Sequence, residues 1–234
     1  MKLKPRLAAV AEMVPRGDIA ADIGTDHGHL PVYLALQRNC PRVVAVEKST
    51  LNMRTAQETV ARYCLEDRIE IRLGDGLHGL AEADLVQTVV LAGLGGKTIC
   101  QLLAAAKDLL SAYRRLVLQP MGDSGMLRRW LVETGFCLVQ ERLAREKGRY
   151  YEIMAAEPGE QVVEDPFLLE LGPVLIRDGD PLLIPWLEKQ LQACEKIAQR
   201  LRQSNFPRSS MRLKHIEKRC WKLRGVLQRV GQRP

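Results

Sequence analysis

The chain's strongest constraint is a repeated pattern in its first 120 residues. Five short apolar runs, Ile19–Ile23, Arg42–Val46, Ile69–Leu73, Gln87–Leu91 and Arg115–Gln119, each stop at glycine, proline, a carboxylate or an amide. Helix-period stretches alternate with them: Leu30–Arg38, Thr50–Cys64 with Ser49 or Thr50 as N-cap, Lys97–Leu110, and Ser124–Thr134 ending at Gly135. Two alternating runs follow, Phe136–Arg142 and Arg149–Ala155, around a Lys147-Gly148 turn. Strand–helix alternation of this kind predicts a parallel, doubly wound sheet with an antiparallel pair at one end. In such sheets ligands bind beyond the carboxyl ends of the strands, so the residues after each run carry the function.

The rest of the chain is organised differently. Between Glu157 and Pro181 the residues Pro158, Gly159, Pro166, Gly172, Pro173, Gly179 and Pro181 read as a linker, taken as 159–181. Two heptad-like patterns come next. The first is Leu187, Leu191, Cys194, Ala198 and Leu201, and the second is Leu213, Ile216, Cys220, Leu223, Leu227 and Val230. A break at Ser204–Ser210, containing Pro207, turns them into an antiparallel hairpin over 182–234. Its two arms would close on each other, which predicts a monomer.

Charge follows this division. From Arg177 onward there are 14 Lys/Arg against 5 Asp/Glu, a net +9, while the remainder is −2. Clustered positive charge is the footprint of a polyanion binder; its bland counterpart is a solvated helical face. No apolar run reaches the ~18 to 20 residues a membrane span needs. The N-terminal stretch is too broken by charge and proline for a secretory leader. The six cysteines are widely spaced with no C-x-x-C pair, which argues against a zinc site and a disulfide scaffold. A cytoplasmic protein without bound metal is expected.

The strand-end residues narrow the ligand. Asp22-Ile23-Gly24-Thr25-Asp26-His27-Gly28 lacks the G-x-G-x-x-G of a dinucleotide site. It carries two carboxylates and a histidine instead. Carboxylates repel a pyrophosphate but suit an amine and a sulfonium, which points to S-adenosylmethionine. Taken alone, D-x-G is also an ordinary turn, and Asp26 is also a plausible N-cap. Glu47, followed by Lys48, ends the second strand where an acid can accept ribose hydroxyls. Asp75 can accept from an adenine amine while the Gly76 N–H reaches a ring nitrogen; otherwise they form a D-G turn. The loop Gly93-Leu94-Gly95-Gly96 either cradles a phosphate through backbone N–H groups or makes room for a flat base. Gln119-Pro120 ends the fifth strand.

Several strings occur together: Asp22-Ile23-Gly24-Thr25-Asp26-His27, Leu30-Pro31, Gly93-Leu94-Gly95-Gly96, Leu116-Val117-Leu118-Gln119-Pro120, Leu127-Arg128-x-Trp130-Leu131 and Tyr151-Glu152-Ile153. In that order the chain resembles the bacterial tRNA (adenine(22)-N1)-methyltransferases over about residues 1–156, and the hairpin resembles that family's C-terminal coiled coil. Gly28-His29 stands where the family has Ala-Tyr, Leu94 where it has Met, and Met121 where Asn is usual.

The resemblance implies a Rossmann-like class I methyltransferase sheet over 1–158 with a C-terminal α-helical domain at 182–234. It implies methyl transfer from S-adenosylmethionine to N1 of adenine 22 in the tRNA D-loop. Expected cofactor contacts are Asp22, Gly24, Asp26, His27, Glu47, Lys48, Asp75, Gly76 and Gly93. Asp26 is the first catalytic candidate, because the initial N1-methyl product is cationic and a carboxylate stabilises it. His27 is the second, as proton acceptor or orienter of Asp26. Gly95, Gly96, Gln119, Pro120, Arg212, Lys214 and Lys218 are expected at the tRNA. Aromatic residues are scarce, leaving Tyr33, Trp130, Tyr150 and Tyr151 as stacking candidates. Phosphate contacts would come from Arg200, Arg202, Arg208, Arg212, Lys214, Lys218, Arg219, Lys222 and Arg224. The competing readings are methylation of another RNA or of a protein, and a non-catalytic RNA-binding protein on the same fold.

Overall fold

β-Branched and small apolar residues fill the strands Ala20–Ile23 and Val43–Glu47, and those two strands are buried on both faces, as a helix-covered sheet requires. The computed structural model describes residues 1–203 and 208–232. It separates into two compact units, Met1–Leu175 and Ile176–Pro234.

The first unit is built on a seven-stranded sheet. Its strands are β1 (Ala20–Ile23), β2 (Val43–Glu47), β3 (Ile69–Leu73), β4 (Thr88–Leu94), β5 (Arg115–Pro120), β6 (Phe136–Glu146) and β7 (Arg149–Pro158). The order is β3-β2-β1-β4-β5-β7-β6, with β1 to β5 parallel and β7 antiparallel to both β5 and β6. The chain reverses direction of winding between β1 and β4, the point at which such sheets open a ligand crevice. Helices α1 (Pro5–Met13), α2 (His29–Gln37), α3 (Thr50–Arg62), α4 (Gly96–Ala105) and α5 (Ser124–Glu133) accompany the sheet. This is the Rossmann-like architecture that the alternating runs predict.

Strand register places the candidate site. Ile23 pairs with Val46 and Leu91, Val46 with Arg72, and Leu91 with Leu118. The next row is therefore Gly24, Glu47, Leu73, Ala92 and Gln119, all on the carboxyl edge.

Two segments depart from the sequence expectation. α1 was not anticipated: Pro5 sits at its first position, where a missing N–H costs nothing. Part of the expected linker 159–181 is folded into the first unit as α6 (Phe167–Leu171) and the start of α7 (Pro173–Asp178). Phe167, Leu169, Leu171, Val174 and Leu175 are buried. Gly172 has φ +89° and ends α6, and Pro173 opens α7. The prolines and glycines that suggested a linker are helix punctuation.

A buried ion cluster holds this segment. Arg128 on α5 donates to Glu141 on β6, to Glu152 on β7 (2.7 Å) and to the Leu169 carbonyl (3.2 Å). Glu141 also accepts the Val174 and Leu175 N–H groups at the start of α7 (2.8 and 3.3 Å). Arg128 and Glu141 thus tie one helix, two strands and the α6–α7 turn into a single hydrogen-bonded unit.

The second unit contains α8 (Leu183–Arg202) and α9 (Arg208–Gly231). Cys194 and Ala198 on α8, and Cys220, Leu223, Val226 and Val230 on α9, are buried. Arg202 pairs with Glu217 and Arg224 with Glu195 (2.7 and 2.6 Å), a register that makes the helices antiparallel. The expected break at Ser204–Ser210 falls largely outside the described residues. Among the described residues, no helix is long and apolar enough to cross a membrane.

Candidate active site

The β1–α2 turn forms the floor of a recess at the carboxyl edge, lined by Arg6, Asp22, Gly24, Asp26, His27 and His29 among others. Gly24 has φ +83°, and a Cβ there would meet nothing within 4 Å. Its N–H and that of Thr25 both donate to the Val46 carbonyl (2.8 and 3.3 Å), which pins the turn against β2. The open space above Gly24 lets a ligand lie against bare backbone.

Asp22 is the buried acid of this recess. Its exclusion from water pushes its carboxyl up to about 6, against a hydrogen bond from Thr25 that lowers it; the nearby Glu47 charge raises it further. No ion pair reaches this carboxylate among the described residues, and an ammonium or sulfonium would supply a counter-cation. Glu47 is also buried, and its Oε1 accepts the Ser49 N–H at 2.7 Å. The rest of its acceptor capacity suits a pair of hydroxyls. Asp75 is exposed and makes no side-chain cap to the following 3-10 turn, Gly76–Gly79. Gly76 has φ +60°, and a Cβ there would lie 2.7 Å from Leu102 Cδ2.

Asp26 and His27 stand at the mouth, 66 % and 57 % exposed, with Oδ2 and Nε2 3.3 Å apart. The N-cap of α2 is Gly28, in a left-handed conformation without a side-chain cap bond. The Asp26 carboxylate is therefore not engaged in capping. His29 lies 5.8 Å from His27 ring to ring. Desolvation, then the His27, Lys4 and Arg62 charges, hold its imidazole below the ordinary histidine range. It presents a neutral ring near pH 7.

Other expected contacts differ. Gln119 is 0 % exposed. Its Oε1 accepts from Arg6 and from the Gly93 N–H (3.1 Å), and its Nε2 donates to the Pro120 carbonyl (2.7 Å). Gln119, Pro120 and Gly93 thus bond to one another or to Arg6 through these groups, while Gly93 itself is exposed. The Gly96 N–H is likewise taken, by the Gly122 carbonyl at 3.1 Å. A Cβ on Gly96 would come within 2.7 Å of that same oxygen. This glycine permits two loops to touch. Gly95 remains exposed at the start of α4, and Lys48 is exposed outside the recess lining.

Arg6 escaped the sequence reading. Its guanidinium bonds Gln119 and lies 5.7 Å from the Tyr151 ring centroid. It is the permanently cationic side chain of the recess lining. The available signal was Pro5 followed by alanine-rich helical spacing, which places residue 6 on a first turn. Among the described residues no group of three metal-ligating side chains occurs.

A model of the methyltransferase domain family matches residues 3–154. Sheet, recess and match together define a methyltransferase of the Rossmann-like class. The chain is 30% identical to the Bacillus subtilis (strain 168) tRNA (adenine(22)-N(1))-methyltransferase, over 97% of this chain and 98% of that protein. It belongs to the tRNA (adenine(22)-N(1))-methyltransferase family. The crystal structure of the B. subtilis m1A22 tRNA methyltransferase TrmK superposes with a TM-score of 0.86 at 30% identity, covering 97% of this chain and 99% of that one. Streptococcus pneumoniae Sp1610, solved in complex with S-adenosyl-L-methionine, gives 0.87 at 27% identity, covering 97% and 100%.

Proposed function

We propose that the protein transfers a methyl group from S-adenosylmethionine to N1 of adenine 22 in tRNA. The observation that carries this reading is the carboxyl-edge row: Asp22 buried beside the open Gly24 turn, Glu47 one strand over, and Asp75 beyond β3, with Asp26 and His27 at the mouth. When bound, S-adenosylmethionine supplies an electrophilic methyl on a sulfonium. Asp22 would neutralise its ammonium, Glu47 would accept its ribose hydroxyls, and Asp75 and Gly76 would hold its adenine. Arg6 provides a cation for its carboxylate.

In the transfer a C–S bond breaks and an N1–C bond forms, and positive charge moves from sulfur to the adenine ring. Asp26, exposed at the mouth, faces that developing charge with its own negative charge. His27 beside it can orient Asp26 or accept a proton leaving N6. The target edge of the base must be exposed to reach this mouth, so the nucleotide has to leave its stack.

We assign tRNA binding to the second unit, acting as part of a cytoplasmic monomer. Its antiparallel arms direct their apolar seam at one another. Among the expected phosphate contacts Arg200 is exposed and Lys222 half-buried, and the side chain of Arg208 lies outside those described. Arg202 and Arg224 are held by glutamates across the helices, and Arg219 is half-buried. Arg212, Lys214 and Lys218 are exposed, with no ion pair among the described residues. Neutralising these three together is expected to reduce the slope of log affinity against log salt by about 2. A salt titration of tRNA binding with an unchanged slope would remove them from the interface.

Cofactor affinity should depend on pH through Asp22. Its folded-state value, about 6, is raised, so the empty site holds a proton below that pH. A cationic ligand binds the ionised form, so affinity falls as pH drops through 6 and is about tenfold weaker at pH 5 than at pH 7. Calorimetric titration at both values checks this, with Asp22→Asn expected to bind weakly and without that dependence. A flat wild-type profile would contradict the assignment. The reaction is tested by incubating the protein with labelled S-adenosylmethionine and an unmodified tRNA transcript. N1-methyladenosine in the nucleoside digest is the expected product. Cofactor binding without methylated tRNA would move the substrate to another RNA or to a protein.

A further inference from the structure

Helix α9 carries eight Lys/Arg and one carboxylate, Glu217, which is paired to Arg202. Its buried residues Cys220, Leu223, Val226 and Val230 follow helical spacing along one side. On the opposite side, residues 211, 214, 218, 221, 225 and 229 form a stripe at spacings of three and four. That stripe reads Met211, Lys214, Lys218, Trp221, Gly225 and Arg229. Trp221 is 71 % exposed, whereas Trp186 is 4 % exposed and Trp130 is partly buried against the core. Gly225, one turn beyond Trp221, has open space where a Cβ would be. The indole thus stands between a lysine one turn before and bare backbone one turn after.

A large aromatic surface facing water within a basic stripe has an energetic cost that burial in the hairpin seam would have removed. Single exposed apolar residues are ordinary on protein surfaces, but here the flanking charge selects the partner. Lysines at i−3 and i−7 repel a basic partner and attract phosphates. A flat ring beside them matches an unpaired nucleobase, because base–aromatic stacking is independent of sequence and needs only a π-face. The Gly225 gap leaves room for the sugar-phosphate of the stacked nucleotide to approach the helix.

We infer that Trp221 is a stacking anchor for an unpaired base of the tRNA, flanked by Lys214 and Lys218 as phosphate contacts. This rests on the tRNA reading above and adds to it a non-electrostatic contact far along α9. None of the four aromatic candidates from the sequence fills this role as well. Tyr33, Trp130 and Tyr151 pack against the core, and Tyr150 is partly buried beside Arg145.

The test measures tRNA affinity over a salt series for the full-length wild type, Trp221→Ala and Trp221→Phe. Stacking releases no counterions, so Trp221→Ala should bind ~10-fold more weakly at every salt concentration with the wild-type slope. Trp221→Phe should recover most of the loss. Wild-type tryptophan fluorescence should be quenched by tRNA, and this quenching should vanish in both variants. Equal affinity of Trp221→Ala and wild type would overturn the proposal. So would a wild-type dimer, seen by light scattering, that Trp221→Ala dissociates, since the indole would then contact a second copy. Failure of the wild type itself to bind tRNA would instead strike the functional reading, and is distinguished by being independent of residue 221.

Discussion

Arg128→Ala is expected to destabilise the first unit by about 3–5 kcal/mol, because it leaves carboxylates buried without their cation. Glu141 has no exposed side-chain surface and Glu152 has 18 %, so water cannot replace the guanidinium at the first of them. The loss spreads beyond the pair. Arg128 also holds the Leu169 carbonyl, and Glu141 holds two N–H groups of α7, so α6 and the start of α7 lose their attachment. Replacing Arg128, Glu141 and Glu152 together by apolar residues of similar volume should cost less than removing Arg128 alone. Chemical denaturation followed by circular dichroism checks both variants. A change under about 1 kcal/mol for Arg128→Ala would show that the cluster does not hold the unit together.

Asp26→Ala is expected to lower turnover by roughly 10²-fold or more, with cofactor affinity altered only about two- to threefold. The two effects separate because of position. Asp22 is the buried acid, whereas Asp26 is exposed at the mouth and makes no helix cap. Asp75→Ala should do the reverse, weakening the cofactor by about tenfold through one lost charge-assisted hydrogen bond. Calorimetry and single-turnover kinetics on both variants make the comparison. Loss of cofactor in Asp26→Ala with normal binding in Asp75→Ala would reverse the two roles.

The sheet was legible because its signals are local. Valine and isoleucine runs ending in glycine or a carboxylate specify both strand and crevice, and Asp22, Gly24 and Glu47 indeed share one corner of the carboxyl edge. The side-chain partners were not legible, since spacing does not reveal which group an amide turns toward. Gln119 reads as a substrate contact from its strand-end position alone, and only the fold shows that the register sets it beside Gly93 and that α1 brings Arg6 onto it. Arg128 and Glu152 stand out as motif residues without a visible purpose, because spacing does not show that Arg128 bonds Glu152 and Glu141 together. The glycines and prolines near Gly172 are ambiguous by composition, marking either a linker or the ends of short helices. Burial of Phe167 and Leu171 decides for the helices.

The reaction proposed for this recess places a methyl group on one adenine edge of tRNA. The most direct measurement compares transfer from labelled S-adenosylmethionine to two transcripts that differ only in carrying adenosine or guanosine at position 22. Label is expected in the adenosine transcript, recovered as N1-methyladenosine, and background in the guanosine transcript. Equal labelling of the two would contradict it.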